Sequence, residues 1–140
     1  IQVIKWQGHC KVHERFTGAE VRRYREQTAG LVVIAHPECP PDVLAEADFV
    51  GSTAQMADYA KAKKPPRVLL LTECSMSDNV AAELPEVEFV RPCNLCPHMK
   101  QITLPKIRHV LETMTGEIVV DPAVAARARR AVERMLEIGR

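Results

Sequence analysis

Leu31-Val32-Val33-Ile34-Ala35, running directly into His36-Pro37-Glu38-Cys39, is the stretch that decides the fold. Its first half is apolar without interruption and rich in β-branched residues. A strand with one wet face alternates polar and apolar side chains, whereas a strand apolar throughout is covered on both faces, as in parallel sheets. Parallel neighbours require crossovers, usually helical, and the sequence supplies both parts. Further short apolar runs lie at 49–50, 68–71, 87–90 and 118–120. Thr17-x-x-Glu20 is a capping box leading to Val21 and Tyr24, and Ser52-x-x-Gln55 is a second one. Thr103 with Pro105 opens a helix whose Ile107, Val110, Leu111 and Met114 share one stripe, with Gly116 at the expected C-cap. Asp121-Pro122 opens the last helix, which ends near Gly139. Its Arg127, Arg129, Arg130 and Arg134 read as a solvated face or a docking surface. The expected fold is α/β, a three-layer α/β/α arrangement with a short, mainly parallel sheet.

Composition narrows the function classes. With 140 residues and 46% hydrophobic side chains, the chain suffices for one compact domain and is short for two. Nineteen Lys+Arg against 18 Asp+Glu leave a net charge of +1, which gives no electrostatic pull toward DNA or anionic lipid. Aromatics make up 4% of the chain, too few for base-stacking platforms. No apolar run approaches a membrane span, and no signal peptide is visible, so a cytoplasmic location is expected. Five cysteines, an odd number, then suggest metal or redox chemistry in a reducing compartment in place of a disulfide frame. The chain opens at Ile1 inside a strand-like run (Ile1, Val3, Ile4, Trp6).

In parallel α/β folds ligands bind outside the carboxyl ends of the strands, and the chemically capable residues collect there. Residues 31–35 lead into His36 and Glu38, which could exchange protons with a substrate or simply satisfy a turn. Residues 49–50 lead into Gly51-Ser52-Thr53 at a helix start. There glycine permits close approach of a ligand, and free N–H groups suit an anion; the plain alternative is an ordinary N-cap. Residues 68–71 lead into Thr72-Glu73-Cys74, and 87–90 into Cys93-Asn94-Leu95-Cys96-Pro97-His98-Met99-Lys100. The opening run leads into Gly8-His9-Cys10-Lys11-Val12-His13. Cys93-x-x-Cys96 could be half of a zinc site, a redox pair or a cluster ligand set, and with Cys10-x-x-His13 it makes four nominal zinc ligands. Cys39 and Cys74 read as small, semi-buried residues.

Taken in order, Gly8-His9-Cys10-x-Val12-His13, His36-Pro37-Glu38-Cys39-Pro40, Asp48-x-Val50-Gly51-Ser52-Thr53-x-Gln55-Met56, Thr72-Glu73 and Cys96-x-x-Met99-Lys100-x-x-Thr103-Leu104 resemble the NadA-type quinolinate synthase family. The resemblance covers about residues 8–104. It implies three similar α/β domains around a pseudo-threefold axis and a 4Fe-4S cluster held by three cysteines, with one iron open to substrate as a Lewis acid. The implied activity is that of a transferase in pyridine nucleotide biosynthesis. It condenses iminoaspartate with dihydroxyacetone phosphate to give quinolinate on the way to NAD.

Position by position, the resemblance makes Cys10 the middle cluster ligand and Cys96 the last, the third lying outside this chain. It makes Glu38 the proton-transfer group and His36 its substrate-orienting partner. Ser52 and Thr53 become the receivers of the substrate's anionic groups. His13 falls near the cluster with no defined role. Cys93 is not a ligand in this pattern, though it could form a thiol pair with Cys96. Residues 1–13 then read as the closing strand and cluster loop of a preceding domain, 14–104 as the third α/β domain, and 105–140 as helices packing back on the rest of the enzyme. The implied partners are the small anionic substrates and an L-aspartate oxidase or aspartate dehydrogenase supplying the imine, with no nucleic acid or membrane. On this reading the 140 residues alone neither hold an intact cluster nor turn over. The competing reading is a small non-catalytic α/β binding domain with structural zinc at Cys10, His13, Cys93 and Cys96.

Overall fold

The computed structural model describes every residue except Ile1, Val3, Trp6 and Arg140. It divides into two compact units, Ile1–Gln101 and Ile102–Arg140. The first unit is built on a four-stranded sheet of order β2-β1-β3-β4, with β1 Leu31–Ala35, β2 Phe49–Val50, β3 Arg67–Leu71 and β4 Glu88–Val90. Every pairing is parallel; Leu31 to Ala35 of β1 lie opposite Arg67 to Leu71 of β3 in unbroken register. The apolar runs are therefore strands for the reason their composition suggests. On one face Leu31, Val33 and Ala35 of β1 and Leu69 and Leu71 of β3 pack with Phe16, Val21 and Val43. On the other, Ile34 of β1 and Val68 and Leu70 of β3 pack with Met56, Ala60 and Val80. Helices α1 (Gly18–Gln27) and α2 (Pro41–Leu44) cover the first face, and α3 (Thr53–Lys63) and α4 (Cys74–Glu83) the second. This is the three-layer α/β/α arrangement.

Both capping boxes form as expected. The Thr17 side chain accepts from the Glu20 N–H, and the Ser52 side chain from the Gln55 N–H, with each acidic or amide partner reaching back to the cap's own N–H. Two elements were not legible: α2, which is a single turn, and α4, whose N-cap is the unusual Glu73. The run 118–120 is not a strand; Ile118 and Val119 are exposed and pair with nothing in the sheet. In the opening run Gln2, Ile4 and Lys5 are not in a strand, and the other positions of that expectation lie outside the described residues.

The second unit contains α5 (Leu104–Thr113), capped by Thr103, and α6 (Pro122–Ile138), capped by Asp121. The C-cap of α5 is Met114, which takes the left-handed conformation at φ 51°, two residues before Gly116, itself at φ 85°. Neither helix buries a residue. Leu104, Leu111 and Met114 of the first and Met135 and Leu136 of the second stand exposed. No helix among the described residues is long and apolar enough to cross a membrane.

Candidate active site at the strand ends

The chain leaves β1 toward β2 on one side of the sheet and leaves β3 toward β4 on the other. The crevice beyond the carboxyl ends of β1 and β3 is therefore the topological switch point, where doubly wound folds place ligands. His36, Pro37 and Glu38 follow β1 there, and Thr72 and Glu73 follow β3. The segment before α1 comes in beside them. A turn of 3-10 helix, His13–Arg15, is pinned by buried Val12 and Phe16 and drives the His13 side chain inward to 8% exposure.

His13 is bonded at both ring nitrogens. Its Nδ1 lies 3.1 Å from Oε2 of Glu38 and its Nε2 lies 3.2 Å from Oγ1 of Thr72. A carboxylate accepts, so Nδ1–H donates to Glu38; in the neutral ring, which burial favours, Nε2 then accepts from the Thr72 hydroxyl. Burial, reinforced by the neighbouring His36, holds the His13 pKa below its ordinary value, against the opposing pull of Glu38. The His36 ring stacks on His13 at 4.3 Å and 11°. The Glu38 N–H donates to Nδ1 of His36 at 3.3 Å, which leaves Nε2–H as the donor His36 can offer a ligand. The Glu38 carboxylate, by contrast, is more than half exposed.

Glu73 is a buried carboxylate with two assignments. It caps α4, Oε2 accepting from the Ser75 N–H at 2.7 Å, while Oε1 accepts from the Cys96 N–H at 3.4 Å. The Cys96 thiol in turn accepts from the Met99 N–H at 3.5 Å. Cys10 and Cys96 are free, half-buried thiols. A cavity of about 370 Å3 has Cys10, His13, Thr53, Thr72, Glu73 and Cys96 in its wall. The ligating atoms of Cys10, His13 and Glu38 all lie within 4.8 Å of one another.

Of the residues singled out in the sequence, the structure thus gathers Cys10, Cys96 and Thr53 on one cavity. His36 and Glu38 adjoin it through His13. Ser52 serves as the N-cap of α3, its oxygen accepting from the Gln55 N–H. At Gly51 a Cβ would stand 2.7 Å from the Phe49 ring and 2.9 Å from the Gln55 Cβ, so packing also favours glycine there. Cys39 is buried against the carbonyl of Leu71. Sequence reasoning gave no role to Glu73, and to His13 only that of a zinc ligand in the competing reading; the partners of His13 lie 25 and 59 residues away.

Two cysteine expectations are corrected. Cys93 is disulfide-bonded to Cys74, 19 residues away. It is therefore not paired with Cys96, and Cys74 is not merely a small packed residue. The zinc set of Cys10, His13, Cys93 and Cys96 fails for the same reason, because a disulfide sulfur is not a thiolate donor. His13 is in any case bonded at both nitrogens. A free pair of thiols on one cavity wall does fit two ligands of an iron-sulfur cluster, whose usual donors are cysteine thiolates.

The sequence profile of the family described as Quinolinate synthetase A protein (NadA) matches residues 1–137. The chain belongs to this family. It is 63% identical over 138 residues to quinolinate synthase 2 of Mesorhizobium japonicum, covering 99% of this chain and 43% of that protein. Identity to the quinolinate synthase of Agrobacterium fabrum is 62% over 138 residues, with 99% and 40% covered. For the quinolinate synthase of Xylella fastidiosa strain 9a5c it is 60% over 138 residues, with 99% and 41% covered. The chain thus spans between 40 and 43% of the length of these NadA-family relatives.

Proposed function

We propose that these residues form part of a quinolinate synthase, a transferase that condenses iminoaspartate with dihydroxyacetone phosphate in NAD biosynthesis. The observation that carries the proposal is the grouping of Glu38, His36 and the free thiols of Cys10 and Cys96 around the switch-point crevice. Cys10 and Cys96 would supply two thiolates to a 4Fe-4S cluster, the remaining cysteine coming from outside these 140 residues. When bound, the cluster supplies an iron with an open position as a Lewis acid.

The chain's own residues account for the remaining work. The exposed Glu38 carboxylate, held beside the cavity, takes up and returns the proton on substrate carbon during condensation and dehydration. His36 offers Nε2–H to a substrate oxygen and so orients it. Thr53 on the cavity wall, with Ser52 at the start of α3, presents hydroxyl groups and a helix N-terminus to the phosphate or carboxylates. The buried ring of His13 and the half-buried cavity floor restrict water at the reacting centre. The substrates are small anions, and an L-aspartate oxidase or aspartate dehydrogenase would supply the unstable imine. The reading carries a cytoplasmic setting, and it has residues 1–13 and 105–140 meeting parts of the enzyme beyond this chain. The exposed apolar stripes of α5 and α6 support that last point.

The test is Glu38→Gln in the full-length polypeptide, purified without oxygen. Quinolinate formation is expected to fall about 100-fold or more, with the visible iron-sulfur absorption unchanged. Loss of the absorption would assign Glu38 to holding the centre, and stoichiometric zinc with no iron would overturn the proposal altogether.

A further inference from the structure

The cavity at the strand ends is walled by negative charge, yet the ligands proposed for it are anions. Its described lining includes the Glu73 carboxylate and the thiols of Cys10 and Cys96, and no lysine or arginine. Thr53 offers one anionic group a hydroxyl and the start of α3. The start of α4, on the same wall, is closed to another, because the Glu73 carboxylate already takes the Ser75 N–H there. Within this chain, a second anionic group must find its cation beyond the wall itself.

We infer that Lys100, with Ser75 and Asn79, forms a carboxylate subsite at this cavity, which takes one carboxylate of the dicarboxylic substrate. The Lys100 Nζ donates to Oγ of Ser75, a wall residue, at 2.7 Å. An ammonium has three N–H donors, so two remain, and Lys100 makes no ion pair among the described residues. The Ser75 hydroxyl, accepting from Lys100, keeps its own hydrogen to donate. One turn further along α4, Asn79 lies on the same wall, and its amide has no hydrogen-bond partner among the described residues. The backbone of Lys100 belongs to the short turn that carries the Cys96 thiol. Its N–H donates to the Cys96 carbonyl at 3.1 Å, and the Met99 N–H donates to the Cys96 sulfur. Fixing Cys96 therefore fixes the base of the lysine as well. Lys100 is exposed, so its free N–H groups are open to a ligand entering from solvent. A carboxylate bound there accepts charge-assisted hydrogen bonds from the ammonium and neutral ones from the hydroxyl and the amide. Thr53 and the start of α3 are then left to the phosphate, which suits converging backbone N–H groups.

The inference rests on the function proposed above, and two probes keep their failures apart. Full-length holoenzyme, purified without oxygen, is titrated calorimetrically with each probe in turn. Quinolinate carries carboxylates and no phosphate; dihydroxyacetone phosphate carries a phosphate and no carboxylate. Lys100→Met is expected to weaken quinolinate binding about 10-fold or more and to leave dihydroxyacetone phosphate binding within about twofold, with the visible iron-sulfur absorption unchanged. Lys100→Arg keeps the charge and should retain most of the affinity. Ser75→Ala and Asn79→Ala should each weaken quinolinate binding about 3- to 10-fold, and they decide the matter if the Lys100 variants fold poorly. A purely structural lysine predicts equal losses for the two probes. Equal losses, a loss confined to dihydroxyacetone phosphate, or unchanged quinolinate affinity in Lys100→Met would each overturn the inference and leave the proposed function standing. A wild-type holoenzyme that binds neither probe would overturn the function itself, and the subsite with it.

Discussion

Replacing Asp48 with alanine removes the rung that lets a two-residue strand hold the sheet edge. Strand β2 contributes only Phe49 and Val50 to its pairing with β1. Asp48 extends that pairing by one position: its N–H donates to the Val33 carbonyl at 2.9 Å, and its carboxylate accepts from the Val33 N–H at 2.7 Å. The same oxygen accepts from Nη2 of Arg25 at 2.9 Å. Val33 is 0% exposed, so in Asp48→Ala its N–H is left buried and unbonded, costing about 1–3 kcal/mol. The ion pair with Arg25 is partly exposed and adds at most about 1 kcal/mol. The sum is about 1–4 kcal/mol. With a urea m-value of about 2 kcal/mol/M for a unit of this size, the unfolding midpoint should fall by about 0.5–2 M. Far-UV circular dichroism in urea measures it. Asp48→Asn, which keeps an acceptor for the Val33 N–H and loses only the charge, should lose less than half as much. Equal losses in the two variants, or a midpoint unmoved by alanine, would refute the assignment of Asp48 to backbone satisfaction.

Two further expectations concern titratable side chains. Because burial keeps the folded-state pKa of His13 below the ordinary value of about 6.5, the unfolded chain takes up the proton first as pH falls. Stability from this residue is therefore full above that value and lost below it, down to the folded pKa; His13→Asn should flatten the midpoint-against-pH curve below about pH 6.5, and an unchanged slope would contradict the assignment. Burial also pushes the Cys39 thiol up to about 11, so at pH 8 only about one part in a thousand is thiolate. Iodoacetamide on the iron-free chain, followed by peptide mapping, should mark Cys10 and Cys96 well before Cys39; comparable labelling of all three would show that Cys39 is not sealed.

Much of the fold was legible because its signals are local. Unbroken apolar runs identified the strands, and Thr17, Ser52, Thr103 and Asp121 announced their helices through cap chemistry within three residues. Helix α4 went unrecognised because its cap is Glu73 and its sequence is polar. The spacing of Met76, Val80 and Leu84 by four was the signal that could have found it, and all three pack on the core. Residues 118–120 misled in the opposite direction, since an apolar run becomes a strand only where a neighbour's backbone is there to pair with it. In the site, the local pair His36 and Glu38 stood out, as did the cysteines matched through the family motifs. The roles of His13 and Glu73 and the disulfide partner of Cys93 were hidden, because each depends on segments that only the folded sheet brings together.

The adjacency of Thr72 and Glu73 has a consequence for how such chains can change length. One residue holds His13, and the next holds the backbone of Cys96 while starting α4. A single residue inserted between them would detach one arrangement or the other, whichever side of the insertion stayed in step with the sheet. Insertions and deletions in descendants of this sequence should therefore be purged from the seam after Leu71.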